Sequence, residues 1–361
     1  MLARKNILKI KPYIPGKPIE EVKRQLGLKK VIKLASNENA LRPSGAVIRA
    51  ARRAVLSANR YPDGGCFYLK KELSKRFKVK PGRIIIGNGS DEIIILAVKA
   101  FLAKGEEVII AKQTFLIYEI ASQIGEAKIR YAPLKNYRYD IDAIIRLITD
   151  KTKMIFIANP DNPAGTYLGK REIERLVRSA PRDTILYFDE AYFEFAKNMK
   201  DFPDTMKYLG RKNVIVTRTF SKAYSLAGLR IGYGFSSENI IECLNRVREP
   251  FNVNSVAQEA AIAALCDKAY LDKTLKLVQN GKAYLYEKLG SLGIKYVPSA
   301  TNFILIDVGM NSKTVFKRLL KRGIIVREMS PWKLKNFIRV TIGTVKENRV
   351  FIKALKEILQ K

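Results

Sequence analysis

Six short apolar runs, centred near Ile84, Val108, Ile129, Ile155, Leu186 and Ile215, recur along the chain with helix-patterned segments between them. Runs this short, rich in Ile and Val, suit strands buried on both faces, and strands separated by helices pair in parallel. The expected fold class is therefore α/β, a mainly parallel sheet flanked by helices in a large domain. After Pro250 the pattern changes to two long helices, Ser255 to Cys266 and Leu271 to Leu289. A short mixed unit follows at Phe303 to Asp307, Ile324 to Arg327 and Phe337 to Thr341. We read this as a smaller α+β domain joined by the long helix, in a chain whose 361 residues suffice for more than one lobe.

Parallel sheets present their sites at the carboxyl ends of strands, so the residues found there carry the functional reading. Val214 to Val216 leads into Thr219, Phe220, Ser221, Lys222, Ala223 and Tyr224. A lysine held among small and apolar neighbours loses hydration, its pKa falls, and the free amine becomes a nucleophile toward an aldehyde. Thr219, Ser221 and Arg230 supply donors that suit a phosphate dianion. A Schiff-base lysine beside a phosphate clamp points to pyridoxal phosphate. A single lysine is more often solvated, so this reading depends on its company.

That company lies upstream. The apolar run Thr184 to Phe188 ends in Asp189, Glu190, Ala191 and Tyr192. A carboxylate at a buried strand end needs a partner, and a protonated pyridine nitrogen is one that keeps the cofactor ring an electron sink. Tyr192 is placed to donate to the cofactor's phenolic oxygen. Met154 to Ala158 runs into Asn159, Pro160, Asp161, Asn162, Pro163, Ala164 and Gly165, a turn whose prolines would aim the Asn162 amide. Ile84 to Ile86 runs into Gly87, Asn88, Gly89 and Ser90 and then the helix Asp91 to Phe101. Free backbone N–H groups at such a helix start suit a phosphate, although ordinary capping by Ser90 or Asp91 explains the glycines equally well.

In chain order the motifs GNGSDE, QTF, NPDNPAG, FDEAY, TFSKAYSLAGLRIGY, VREM and FIRVTIGT resemble those of the fold-type I pyridoxal phosphate aminotransferases, and within them the histidinol-phosphate aminotransferases. The resemblance runs from Pro12 to about Ile358. It implies that Lys222 is the Schiff-base lysine and that Asp189 pairs the pyridine nitrogen. It implies that Tyr192 and Asn162 bind the phenolic oxygen. Ser90, Asp91 and Glu92 mark the helix start that holds the phosphate with Thr219, Ser221 and Arg230. Tyr61 resembles a tyrosine that reaches the phosphate from the neighbouring subunit of a homodimer. Arg339 and Arg327 match substrate-anion contacts, Tyr13 an N-terminal residue near the substrate phosphate, and Asn37 a pocket-lining segment. The domains expected on this basis are an N-terminal arm at 1–36 packing with the small domain, a large cofactor domain at 37–252 and a small domain at 253–361.

The implied reaction exchanges histidinol phosphate and 2-oxoglutarate for imidazole acetol phosphate and glutamate, a step of histidine biosynthesis. Aromatic or broad-range aminotransferases and a threonine-phosphate decarboxylase would share the same cofactor residues. The chain departs from the family pattern at Phe115, which keeps the stacking face of the usual tyrosine without its hydroxyl, and at Ala164, Ala40 and Gln113.

The formal net charge is +33. Such a field attracts anions, and a nucleic-acid binder on the same scaffold is the alternative from another class. The charge is spread over helix faces such as Arg49, Arg52 and Arg53, without an RNA-binding aromatic motif, so nucleic acid is not the expected partner. No apolar run reaches membrane-spanning length, and the N-terminal residues lack the apolar core of a signal peptide. Three widely spaced cysteines, Cys66, Cys243 and Cys266, fit a reduced, cytoplasmic setting. The chain has no histidine at all, which excludes imidazole acid–base catalysis and histidine metal sites while costing a lysine-based mechanism nothing.

Overall fold

The computed structural model describes residues 2–210 and 213–359, so Met1, Gln360 and Lys361, the outermost residues of the expected terminal units, lie outside it with Arg211 and Lys212. Two sheets organise the chain. The larger has seven strands in the spatial order Ile84–Gly87, Gly232–Phe235, Val214–Thr219, Ile185–Asp189, Thr152–Ala158, Glu107–Ala111 and Lys128–Ala132. Every neighbouring pair is parallel except those made by Gly232–Phe235, which runs against both of its neighbours.

Alternation along these strands feeds two separate cores. Ile84, Ile86, Ile109, Ile155, Ile157, Leu186, Phe188 and Val216 point to one face, and Ile85, Val108, Ile110, Phe156, Tyr187 and Ile215 to the other. Both faces are covered, as the short unbroken apolar runs require. Helix Ser90–Phe101 covers the second face with Ile93, Ile94 and Ala97, and helix Ser255–Cys266 closes the first with Ala257, Ala260 and Ala261. The latter helix lies within the expected 253–361 unit, yet its alanine face packs in the core of the larger sheet.

The smaller sheet has five strands in the order Ile32–Leu34, Ile324–Glu328, Phe337–Thr341, Phe303–Asp307 and Tyr296–Val297. Ile32–Leu34 pairs in parallel with Ile324–Glu328, and the other pairs are antiparallel. Helices Ser312–Lys321 and Val345–Leu359 complete its core through Val315, Leu319, Phe351 and Leu355. The helix Lys268–Ser291 belongs to both cores, giving Leu271 to the first and Val278, Leu285 and Leu289 to the second. Its N-terminus is capped by Asp267, whose side chain accepts from the Tyr270 amide. Among the described residues no helix is long and apolar enough to cross a membrane.

Candidate active site

The carboxyl ends of the parallel strands and one edge of the smaller sheet enclose a cavity of about 230 Å³. Asp189 ends its strand, Asn162 lies in the turn after Thr152–Ala158, and Lys222 lies just past Val214–Thr219. All three line the cavity, together with Tyr13, Asn37, Ser90, Asp91, Phe115, Tyr192, Thr219, Ser221, Arg230, Arg327 and Arg339.

Burial works on the two central ionisable groups in opposite directions because it disfavours charge in both. It pushes the Lys222 amine down to about 8, helped by the Arg339 guanidinium and opposed by Asp91. Lys222 Nζ has one loose hydrogen bond, to the Ser36 carbonyl at 3.4 Å. Burial pushes the Asp189 carboxyl up to about 6, against a hydrogen bond from the Tyr118 hydroxyl at 2.7 Å. The Ala191 amide donates to the other carboxylate oxygen. Tyr192 is buried, its hydroxyl accepts from Asn37 Nδ2 at 2.8 Å, and burial holds that phenol well above its usual range. Asn37 itself takes a positive φ of 55° and donates its amide to Thr341 Oγ1, joining the cavity wall to the smaller sheet.

One end of the cavity collects donors. Gly89, with φ of 86°, turns the chain into helix Ser90–Phe101, and a Cβ there would come within 2.6 Å of Arg230 Nη2. A Cβ at Gly232 would strike the Ser90 amide nitrogen. Two glycines thus let the helix start, the antiparallel strand and Arg230 converge. Arg230 Nη1 reaches Ser221 Oγ at 3.4 Å, and the Ser221 amide donates to Thr219 Oγ1. A dianion suits this cradle of hydroxyls, guanidinium and helix N-terminus.

At the opposite end Arg327 and Arg339 stand directly across from each other in register on neighbouring strands. Arg339 donates to Asn162 Oδ1 and to the Ala35 carbonyl, and Arg327 donates to the Ile14 carbonyl at 2.8 Å. Among the described residues neither forms an ion pair, and the Nε of each is buried without a hydrogen-bond partner. Two adjacent guanidiniums without a carboxylate are an arrangement that a bound anion relieves.

Two expected contacts lie outside the cavity. Glu92 Oε2 accepts from the Asn88 amide and from Asn252 Nδ2, each at 2.6 Å, so its carboxylate is used in fixing the helix start. Tyr61 is 83% exposed and stacks on Phe251, with ring centroids 4.7 Å apart, away from its own chain's cavity. Sequence reasoning passed over Tyr118 and Trp332, which both line the cavity. It also passed over the buried Asp161, which accepts from Thr114 Oγ1 at 2.8 Å and Tyr139 at 3.1 Å and fixes the turn carrying Asn162.

The geometry accommodates pyridoxal phosphate. An amine of lowered basicity, a buried carboxylate and a buried phenol surround one space, with a dianion cradle at its end. The sequence model of the family "Aminotransferase class I and II" matches residues 29–355. A histidinol-phosphate aminotransferase of Moorella thermoacetica is 46% identical over 358 residues, covering 99% of this chain and 92% of that one. The crystal structure of histidinol-phosphate aminotransferase from Sinorhizobium meliloti in complex with pyridoxal-5'-phosphate superposes with a TM-score of 0.92 at 28% identity, covering 99% of this chain and 98% of that one. An L-threonine-O-3-phosphate decarboxylase from Porphyromonas gingivalis shares the fold, with a TM-score of 0.81 at 24% identity over 92% of this chain and all of that one.

Proposed function

The chain belongs to the class I and II aminotransferases, and from that premise we propose that it moves the amino group of histidinol phosphate to 2-oxoglutarate with pyridoxal phosphate, in histidine biosynthesis. The observation that carries the substrate reading is the pair Arg327 and Arg339, two guanidiniums on the cavity wall with no ion-pair partner among the described residues. They suit a donor phosphate in one half of the reaction and an acceptor carboxylate in the other.

When bound, pyridoxal phosphate supplies an electrophilic aldehyde and an electron-withdrawing ring that makes the donor's amine-bearing carbon acidic. Lys222 Nζ would hold the aldehyde and move the proton at that carbon. Asp189 would stay ionised beside a protonated ring nitrogen, and Tyr118 holds its Oδ2 in place. Tyr192 and Asn162 would bind the phenolic oxygen. Phe115 supplies a stacking face, and Ser90, Asp91, Thr219, Ser221 and Arg230 border the phosphate end. Glu92 contributes by holding the helix start rather than by contact. Tyr13 and Asn37 line the same cavity.

The active unit of this reading is a homodimer in which Tyr61 serves the partner's phosphate site. The exposed aromatics Tyr61, Phe67, Tyr68 and Phe251 support a face that a second copy would cover. Its expected location is the cytoplasm, in keeping with three free cysteines. The chain organisation proposed is an arm at 1–36, a large unit at 37–252 and a small unit at 253–361, with Ser255–Cys266 packed back on the large core.

The test is spectroscopic. The visible band of the holoenzyme should bleach when histidinol phosphate is added alone and return with 2-oxoglutarate. A band that responds only to aromatic amino acids, or carbon dioxide release from threonine phosphate, would overturn the donor reading.

A further inference from the structure

We propose that Trp332 is a positioning residue that ties the anion contact Arg327 to the loop carrying Phe115, so that one side chain sets the substrate end and the ring-stacking side of the cavity together. Trp332 is the only tryptophan in the chain and is 3% exposed. It ends the short turn Ser330–Trp332, which is fixed because Glu328 Oε1 accepts from the Ser330 amide at 2.6 Å and from Ser312 Oγ at 2.9 Å. The indole is thus anchored to the smaller sheet.

From there it reaches across the cavity wall. Its Nε1–H donates to the Thr114 carbonyl at 2.7 Å, and Thr114 immediately precedes Phe115. Thr114 also donates through Oγ1 to Asp161, in the turn that carries Asn162. One hydrogen bond therefore holds two elements of the larger sheet. The ring face lies under Arg327, with the guanidinium carbon 5.2 Å from the ring centroid. Among the described residues Arg327 has no ion pair, and its one side-chain hydrogen bond goes to the Ile14 carbonyl. Two rings also lie within reach of its guanidinium, Trp332 and Tyr13, the latter at 5.7 Å. Tyr13 is 41% exposed, so the buried indole is the rigid one of the two.

An ordinary core tryptophan with a satisfied N–H would share the burial and the hydrogen bond. It would not place its N–H on the backbone immediately before one cavity-lining ring, Phe115, and its face against a cavity-lining guanidinium, Arg327. The inference rests on Arg327 as an anion contact.

Two variants and one wild-type measurement test it. Trp332→Phe keeps a ring under Arg327 and loses the N–H; kcat should fall by about 2- to 10-fold, the worth of one hydrogen bond, with KM for histidinol phosphate held within about twofold. Trp332→Leu loses both contacts and should add a rise in KM of about 3- to 30-fold. Equal KM values in the two variants, or losses of kcat and KM that merely follow thermal stability, would overturn the proposal. Cofactor-free wild-type protein provides a readout that needs no variant to fold. Titration with glutamate should change the emission of this single tryptophan at the midpoint measured by calorimetry. Calorimetric binding with unchanged emission overturns the proposal. Absence of calorimetric binding overturns the reading of Arg327, and the proposal with it.

Discussion

Lys222 and Asp189 illustrate how one physical cause prepares two groups for opposite tasks: burial leaves the amine easier to deprotonate and the acid harder to ionise. The signs give a pH prediction for the cofactor-free protein. Capture of pyridoxal phosphate should speed up as pH rises through about 8, where Lys222 loses its proton, and then level off. Affinity should weaken as pH falls through about 6, where Asp189 takes up a proton and ceases to attract a cationic ring nitrogen. Stopped-flow absorbance and equilibrium titration across pH 5 to 10 measure both, and Asp189→Asn should remove the acid limb while lowering affinity throughout. Lys222→Ala should lower turnover by at least about 100- to 10,000-fold, the contribution of a positioned acid–base group; steady-state transamination near the wild-type rate would contradict its role. Both residues were legible in the sequence because each closely follows an apolar run, where a polar group has no reason to stand unless it is used. Tyr118 was not, since a tyrosine in the amphipathic helix Leu116–Ile124 reads as core until its hydroxyl is seen on Asp189.

At the scale of elements, the cavity depends on strand ends and helix starts meeting at backbone distance. Gly232 allows the antiparallel strand to pass against the Ser90 amide, so Gly232→Ala must push the start of helix Ser90–Phe101 aside. Cofactor affinity should fall by up to about 100-fold, the cost of misplacing a positioned group by roughly an ångström. Far-ultraviolet circular dichroism should stay native, and an unchanged affinity would show that the helix start does not hold the phosphate. Alternating short strands and helices made the larger sheet readable in advance. The helix Ser255–Cys266 was harder to place, because an alanine-rich face fits any close-packed surface and periodicity cannot say which core receives it. Glu92 shows the same limit: a carboxylate in the first turn of a helix reads as a ligand or as a brace, and its Asn252 partner is 160 residues away.

The whole molecule carries a large positive charge, +33, and its cavity is lined by two arginines that form no ion pair among the described residues. Anionic substrates are drawn through a field that salt screens within about 10 Å at 0.1 M ionic strength. Raising ionic strength should therefore lower kcat/KM for histidinol phosphate by roughly threefold or more and leave kcat nearly flat. A salt-independent kcat/KM would assign the charge no part in substrate capture. The division into two sheets was foreseeable from the change of pattern after Pro250, but the parallel pairing of Ile32–Leu34 with Ile324–Glu328 was not, since three residues of strand carry almost no periodic signal. That pairing has a consequence for how the protein is born. Strand Ile32–Leu34 finds its partner only after all the chain between the two has been made, a wait of roughly 15–60 s at ordinary translation speeds. Arg327 and Arg339 emerge with that partner and the strand after it. A nascent chain can assemble most of the larger sheet while Ile32–Leu34 stays unpaired, and the end of the cavity lined by the two arginines is completed only once Ile324–Glu328 and Phe337–Thr341 have been made.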